Sequence, residues 1–191
     1  MMFLFASPSK SIIDRFLNSR EFDHFSYPEV GATNERLSLH DYNVDHNRQM
    51  LGQGDEVFER AKQAVREWKM FAMPWVKLCY PDTPIERGQT VAVVIQHFGF
   101  YSLNSTRIVY TIDEEARFGF AYGTLTEHGE IGEERFSVEL LANGEVWYDL
   151  YAFSRPASLL AKIGYPLARH LQKRFAADSK QAMLEAVQTL R

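Results

Sequence analysis

A single cysteine, Cys79, is all the thiol in a chain of 191 residues. That excludes an internal disulfide and fits a reducing compartment, so the expected location is the cytoplasm. Positive charge is also short. Lys and Arg number 21 against 25 Asp and Glu, giving a formal charge of −4 and a pI near 5.9. A nucleic-acid partner held by phosphate neutralisation needs a basic face, and is excluded. No apolar run approaches the ~20 residues of a membrane span. The opening MMFLFA has no basic flank and is expected to be neither signal nor anchor.

Recognisable catalytic spacings are missing too. There is no HExxH, CxxC, GxSxG elbow or phosphate loop. GQGDE at 52–56 has glycines but no strand pattern before it, so it does not read as a dinucleotide loop. Neither a cofactor nor a metal is expected. Without a linker or an internal repeat, residues 1–191 are expected to form a single domain.

Aromatic residues are abundant at 14% and fall mostly in segments of strand character. SPSKSIIDRFLNS predicts a helix over 7–19, with Ser7 as N-cap, Pro8 in the first turn and Ile12, Ile13, Phe16 and Leu17 on one face. FSYPEVGAT suggests an edge strand at about 24–33, because Pro28 cannot donate to a ladder. The polar stretch 34–53 reads as an exposed loop. Val57, Ala61, Ala64, Val65 and Trp68 recur at helical spacing and predict a central helix over 54–71.

From Thr90 to Phe153 the period changes to two, with runs at 90–98, 105–112, 117–125, 133–142 and 145–153. Leu160, Ile163, Leu167, Leu171, Phe175, Leu184 and Val187 then mark a helical region over 156–189, kinked or restarted at Pro166. Consecutive antiparallel strands followed by a long helix imply an α+β domain: a curved sheet wrapped around that helix, with a cavity between. A lipocalin-type barrel is the rival. It offers no large outer face for two helices.

Asn143-Gly144 favours a two-residue type I′ hairpin. That turn would pair Leu140 with Trp147, Val138 with Asp149, Phe136 with Tyr151 and Glu134 with Phe153. One face would then carry Phe136, Val138, Leu140, Trp147, Tyr151 and Phe153, with Glu134 and Asp149 as the acids among them. Arg135, Glu139 and Tyr148 would face solvent. A buried carboxylate must be paired, protonated or wet, so the two acids mark a polar spot in an apolar pocket. In the preceding hairpin a two-residue loop sets Arg107 opposite Tyr122. Arg107 would partner the acids if that bulky face is concave, and would be a surface cation otherwise. The opposite face carries the small residues Gly119, Ala121 and Gly123.

The loop TEHGEIGEE gathers His128 with Glu127, Glu130, Glu133 and Glu134. Two glycines and no second histidine at ligand spacing make it a solvated turn first and a general acid–base site second. Arg155 precedes the last helical region and is placed to meet an anionic ligand. Cys79 reads as a packed thiol. The expected ligand-binding set is Arg107, Tyr122, Glu134, Phe136, Trp147, Asp149, Tyr151 and Arg155. The expected ligand is an apolar or amphipathic small molecule. If the protein is an enzyme, Glu134 or Asp149 would be acid or base, with Tyr122 or Tyr151 as proton donor. An interaction module using the aromatic surface is a third reading.

YPEVGAT, LGQGDEVFERAKQAVREWKMF, RIVYTIDEEARFGFAYGTLTEHGEIGEERFSVE, VWYDLYAFSRPA and ARHLQKRFAADSKQAM together resemble domain-of-unknown-function family 1990, from about Ser26 to Met183. The resemblance implies a helix-grip fold of the START and Bet v 1 kind, with an apolar cavity between sheet and C-terminal helix. It assigns no catalytic residue.

Overall fold

The computed structural model describes residues 1–35, 39–126, 128–157 and 165–189. Among these, eight strands join one antiparallel sheet: β1 (Met2–Leu4), β2 (Asn43–Gln53), β3 (Val76–Cys79), β4 (Thr90–Gln96), β5 (Tyr101–Glu114), β6 (Arg117–Thr124), β7 (Glu130–Leu140) and β8 (Glu145–Pro156). Their order is β2-β8-β7-β6-β5-β4-β3, with β1 added to β5. The two ends of that path do not pair, so the sheet is an open grip and not a closed barrel. The helices are α1 (Lys10–Asn18), α2 (Ala32–Glu35), α3 (Asp55–Arg66) and α4 (Tyr165–Thr189).

Helix α4 crosses the concave face. Ala176, Met183 and Val187 are buried in the same cluster as Phe120, Phe136 and Tyr148 of the sheet. Two polar ties fix its position: Tyr148 Oη lies 2.8 Å from Ser179 Oγ, and Trp75 Nε1 donates to Asp178 Oδ2 at 2.7 Å. Helix α3 buries Phe58, Ala61, Ala64 and Val65 against the same cluster.

The expected central helix is shorter than 54–71. It ends at Arg66, and Trp68 adopts a left-handed φ of 55° before a 3₁₀ turn over Lys69–Phe71. Pro166 stands in the first described turn of α4, and residues 158–164, on which the expected kink or restart depends, lie outside the described residues. Leu160 and Ile163 of the expected helix lie outside the described residues, and the chain to Pro156 is still strand.

Two expectations for the N-terminal third exchange places. The segment expected as a strand at 24–33 makes only an isolated bridge, Phe25 to Leu125, and Gly31 turns it with a φ of 92°. The expected loop at 34–53 contains β2. As a sheet edge paired with β8 alone, β2 is partly exposed along its length, so it needs no apolar alternation.

The segment from Arg20 to Glu35 instead covers the convex face of the sheet. The small row of β6 makes room for it: a Cβ at Gly123 would sit 2.0 Å from Tyr27 Oη. Gly123→Ala is therefore expected to dislodge Tyr27 from the buried Glu133, which it holds at 2.7 Å. The expected loss is about 1–3 kcal/mol, read as a lower unfolding midpoint. An unchanged midpoint would mean that the ring moves aside freely.

Arg107 belongs to this outer layer. The β5–β6 turn falls one residue later than expected, with Glu114 opposite Arg117, and β5 carries an extra residue between Ile108 and Tyr110; together these pair Arg107 with Gly123 and not with Tyr122. Its guanidinium donates to the carbonyls of Arg20, Glu21 and Asp23 and to Thr90 Oγ1. It pins the chain after α1 to the sheet.

Candidate functional site

The register of β7 and β8 decides which side chains reach the concave face. Gly144 alone of the Asn143-Gly144 pair has positive φ, at 82°. Leu141 N–H donates to Glu145 O at 2.8 Å, and Gly144 N–H to Leu141 O at 2.8 Å. The loop is thus three residues, a turn closed by a left-handed glycine, in place of the expected two-residue turn. The pairing slips by one: Phe136 meets Leu150, Val138 meets Tyr148 and Glu134 meets Ala152. A slip of one sends every β8 side chain to the other face. Asp149, Trp147 and Tyr151 therefore leave the concave face. Arg155 leaves it too, and lies over the Tyr42 ring at 4.9 Å. Glu134, Phe136 and Tyr122 remain, Phe136 as fully buried core.

Between the sheet and α4 lies a cavity of about 980 Å³. Trp75, Val93, Leu150, Leu171 and Phe175 supply apolar wall, and the exposed Val44 and Leu167 stand at its rim. Its polar groups fall into two sets. On the β6–β7 side, Tyr122 and Glu134 are direct cross-strand partners, and Tyr122 Oη donates to Glu134 Oε2 at 2.8 Å. Burial raises the Glu134 carboxyl to about 7, although the tyrosine bond opposes the shift. Burial and the neighbouring Glu134 push the Tyr122 phenol well above its usual value, so it acts as a donor.

Beside them Gln172 of α4 donates to Glu130 Oε2 at 2.6 Å, and burial raises the Glu130 carboxyl as well. His128 lies at the same end, and Glu130 N–H approaches its Nδ1 at 3.1 Å. Burial, helped by the positive amino terminus, lowers its pKa to about 4. At the rim Arg169 holds Asp45 Oδ1 at 2.8 Å.

The second set rises from β4 and β5. Ser102, Asn104 and Thr106 alternate along β5 and face the cavity. Ser102 Oγ lies 2.8 Å from His97 Nε2 and accepts from Asn104 Nδ2 at 3.1 Å. Burial lowers the pKa of His97, whose ring stacks on Phe100 at 4.5 Å.

The other expected residues form a network on the convex face. Arg135 donates to Asp149 Oδ1 at 2.8 Å and to the Thr33 carbonyl. His46 Nε2 lies 2.6 Å from Asp149 Oδ2, and Arg48 Nε lies 3.2 Å from it. Burial opposes ionisation of Asp149, but the bonds from His46 and Arg135 outweigh it and hold the carboxyl below its usual range. Glu133 accepts from Tyr27 Oη and from the Gly31 and Thr33 amides at 2.7 to 3.0 Å. Arg135 points away from the Glu134 side, as strand alternation requires. It is buried, however, beneath the N-terminal segment that was expected to lie elsewhere. Trp147 and Tyr151 receive the guanidinium groups of Arg48 and Arg135 at 4.9 and 5.3 Å.

Among the described residues no group of His, Cys, Asp and Glu is arranged to hold a metal ion. No helix among them is long and apolar enough to cross a membrane. Cys79 is free and buried.

A curved antiparallel sheet closed by a C-terminal helix, with a cavity between them, defines a helix-grip protein. A hypothetical protein, jhp0584, from Helicobacter pylori has the same fold with a TM-score of 0.54 at 15% identity, covering 87% of this chain and 95% of its own. TTHA0849 from Thermus thermophilus gives 0.51 at 14% identity, over 76% and 97%. Within that class the chain belongs to the family described as Domain of unknown function (DUF1990), which matches residues 26–182. A UPF0548 protein from Dictyostelium discoideum is 35% identical over 97% of this chain and 96% of its own. Another, from Deinococcus radiodurans, is 35% identical over 97% and 98%.

Proposed function

We propose that this protein binds an apolar or amphipathic small molecule, such as a lipid, between the sheet and α4. The observation that carries the reading is the cavity of about 980 Å³. Ligand pockets run to about 300–1,000 Å³, mostly apolar with a few placed polar groups. The lone buried thiol supports a cytoplasmic setting. An interaction module would have used an apolar surface without a cavity, and the cavity weighs against it.

Nile red, an uncharged apolar dye, tests the reading. The expected result is saturable fluorescence that is lost in Ala152→Trp, because Ala152 lines the cavity and the indole would fill it. A bound ligand at a hundredfold excess over Kd should also stabilise the fold by about 2.7 kcal/mol. No dye binding, together with no thermal shift from any apolar acid, alcohol or amine, would overturn the reading.

A second reading, an enzyme acting on such a ligand, rests on one observation. Glu134, with its carboxyl near 7, and the donor Tyr122 meet at 2.8 Å inside the cavity. A carboxyl in that range exchanges protons readily at neutral pH. Asp149, Tyr151 and Arg107 lie on the convex face and drop out of this reading. Mass spectrometry of a ligand recovered after incubation separates the two: a carrier returns it unchanged.

A further inference from the structure

We propose that the polar end of the cavity seats an ammonium group, so that the ligand is an amphipathic amine. The inference rests on the binding reading above and adds the chemistry of the head group.

The donors and acceptors at that end do not balance. Glu134 and Glu130 each have one carboxylate oxygen satisfied within the protein, by Tyr122 and by Gln172. The second oxygen of Glu130 is buried without a partner. So is Thr106 Oγ1 of β5, which also lines the cavity and is only 6% exposed. A buried acceptor left unpaired costs about 1–3 kcal/mol, so a site with two of them is shaped for a donor it does not itself contain.

Lys173, which also lines the cavity, is exposed, and the nearest arginine has other hydrogen-bond partners. Among the described residues no lysine or arginine forms an ion pair with Glu130 or Glu134. Arg169 donates to Asp45 and to Gln172 Oε1, and reaches Glu130 only through its charge, without a hydrogen bond. An alkylammonium supplies three donors and one positive charge, which suits two carboxylates with free oxygens. Hydrogen bonds between charged partners are roughly twice as strong as neutral ones. A hydroxyl supplies one donor and no charge, and a ligand carboxylate would be repelled.

Octylamine, octanol and octanoate share one apolar chain and differ in the head group. Their affinities are measured by Nile red displacement at a mildly alkaline pH, where both the carboxylates and the amine are ionised. Octylamine is expected to bind about tenfold tighter than octanol, and octanoate weakest. In Glu134→Gln the preference for the amine should fall to about twofold while octanol affinity is kept, which shows that the cavity is intact. Glu56→Gln, on the exposed face of α3, should keep the full preference. Equal binding of amine and alcohol, a preference for octanoate, or an amine advantage that survives in Glu134→Gln with Glu130→Gln would overturn the head-group assignment. The dye result would then still support the cavity. Failure of the dye and of all three ligands would remove the binding reading itself.

Discussion

Asp149→Ala is expected to cost the fold about 3–5 kcal/mol, the penalty for stripping one partner from a buried ion pair. The side chains of Arg135 and Asp149 are 1% and 0% exposed and meet at 2.8 Å. Without the carboxylate the guanidinium stays buried, with the Thr33 carbonyl as a hydrogen-bond acceptor and the Tyr151 ring beside its charge. His46 and Arg48 lose their shared acceptor as well. Denaturant unfolding measures the loss. The double change Arg135→Met with Asp149→Leu should recover much of it, because apolar pairs of similar volume replace buried ion pairs at little cost. Nile red affinity should not change in folded variants, since the pair lies on the convex face. A loss under about 1 kcal/mol in Asp149→Ala would mean that solvent reaches the arginine.

The second large effect belongs to Glu134 and depends on pH. Its carboxyl titrates near 7 in the folded chain, against 4.5 for a free glutamate. The folded state therefore holds the proton more tightly than the unfolded state. Stability falls as pH rises from 4.5 to about 7 and is level above that. The span is at most about 3 kcal/mol, an upper bound because the cavity opens at its rim. Glu134→Gln should remove this slope and leave the variant more stable than the parent at alkaline pH. His128 acts in the opposite sense. Its pKa is lowered to about 4, so it takes stability away as pH falls from 6.5 toward that value. Subtracting the variant's midpoints from the parent's across the pH range isolates Glu134. Parallel curves would show that this carboxylate is already solvated in the folded chain. In ligand assays Glu134→Gln should also reduce amine affinity more than Glu130→Gln, because burial acts more strongly on the Glu134 carboxyl.

The sheet and the closing helix were legible because each lays an apolar face against the common core. The period-two runs from Thr90 onward match β4 to β8 within a few residues, and the apolar spacing to Val187 matches α4. What failed were local choices that depend on partners. Asn143-Gly144 suits a two-residue turn, yet the chain places three residues there, and that single residue exchanged Asp149 for Leu150 on the concave face. The later β5–β6 turn and the bulge in β5 together did the same to Arg107. A bulge leaves no mark in hydrophobic periodicity when both faces are buried, and here the N-terminal segment covers the second face. The alternating Ser102, Asn104 and Thr106 were visible as a polar row at every second position. The period-two run reads from 105 onward, whereas β5 begins at Tyr101, so Ser102 and Asn104 fall outside it. Glu134 kept its expected side because its own strand was read correctly; only the neighbour slipped.

The layer over the convex face also has a bearing on how the chain folds. Tyr27 and Thr33 find their acceptor in Glu133, 106 and 100 residues further along. A growing chain must therefore hold the Tyr27–Thr33 segment without its partners until β7 has been made. Closing so long a loop is slow, because the entropy of the intervening chain is lost before any contact rewards it. The N-terminal segment should thus dock late, after the β-meander has formed. During that interval Arg135 and Asp149 have each other but no roof, and the bare outer side of the sheet is the surface a chaperone would meet.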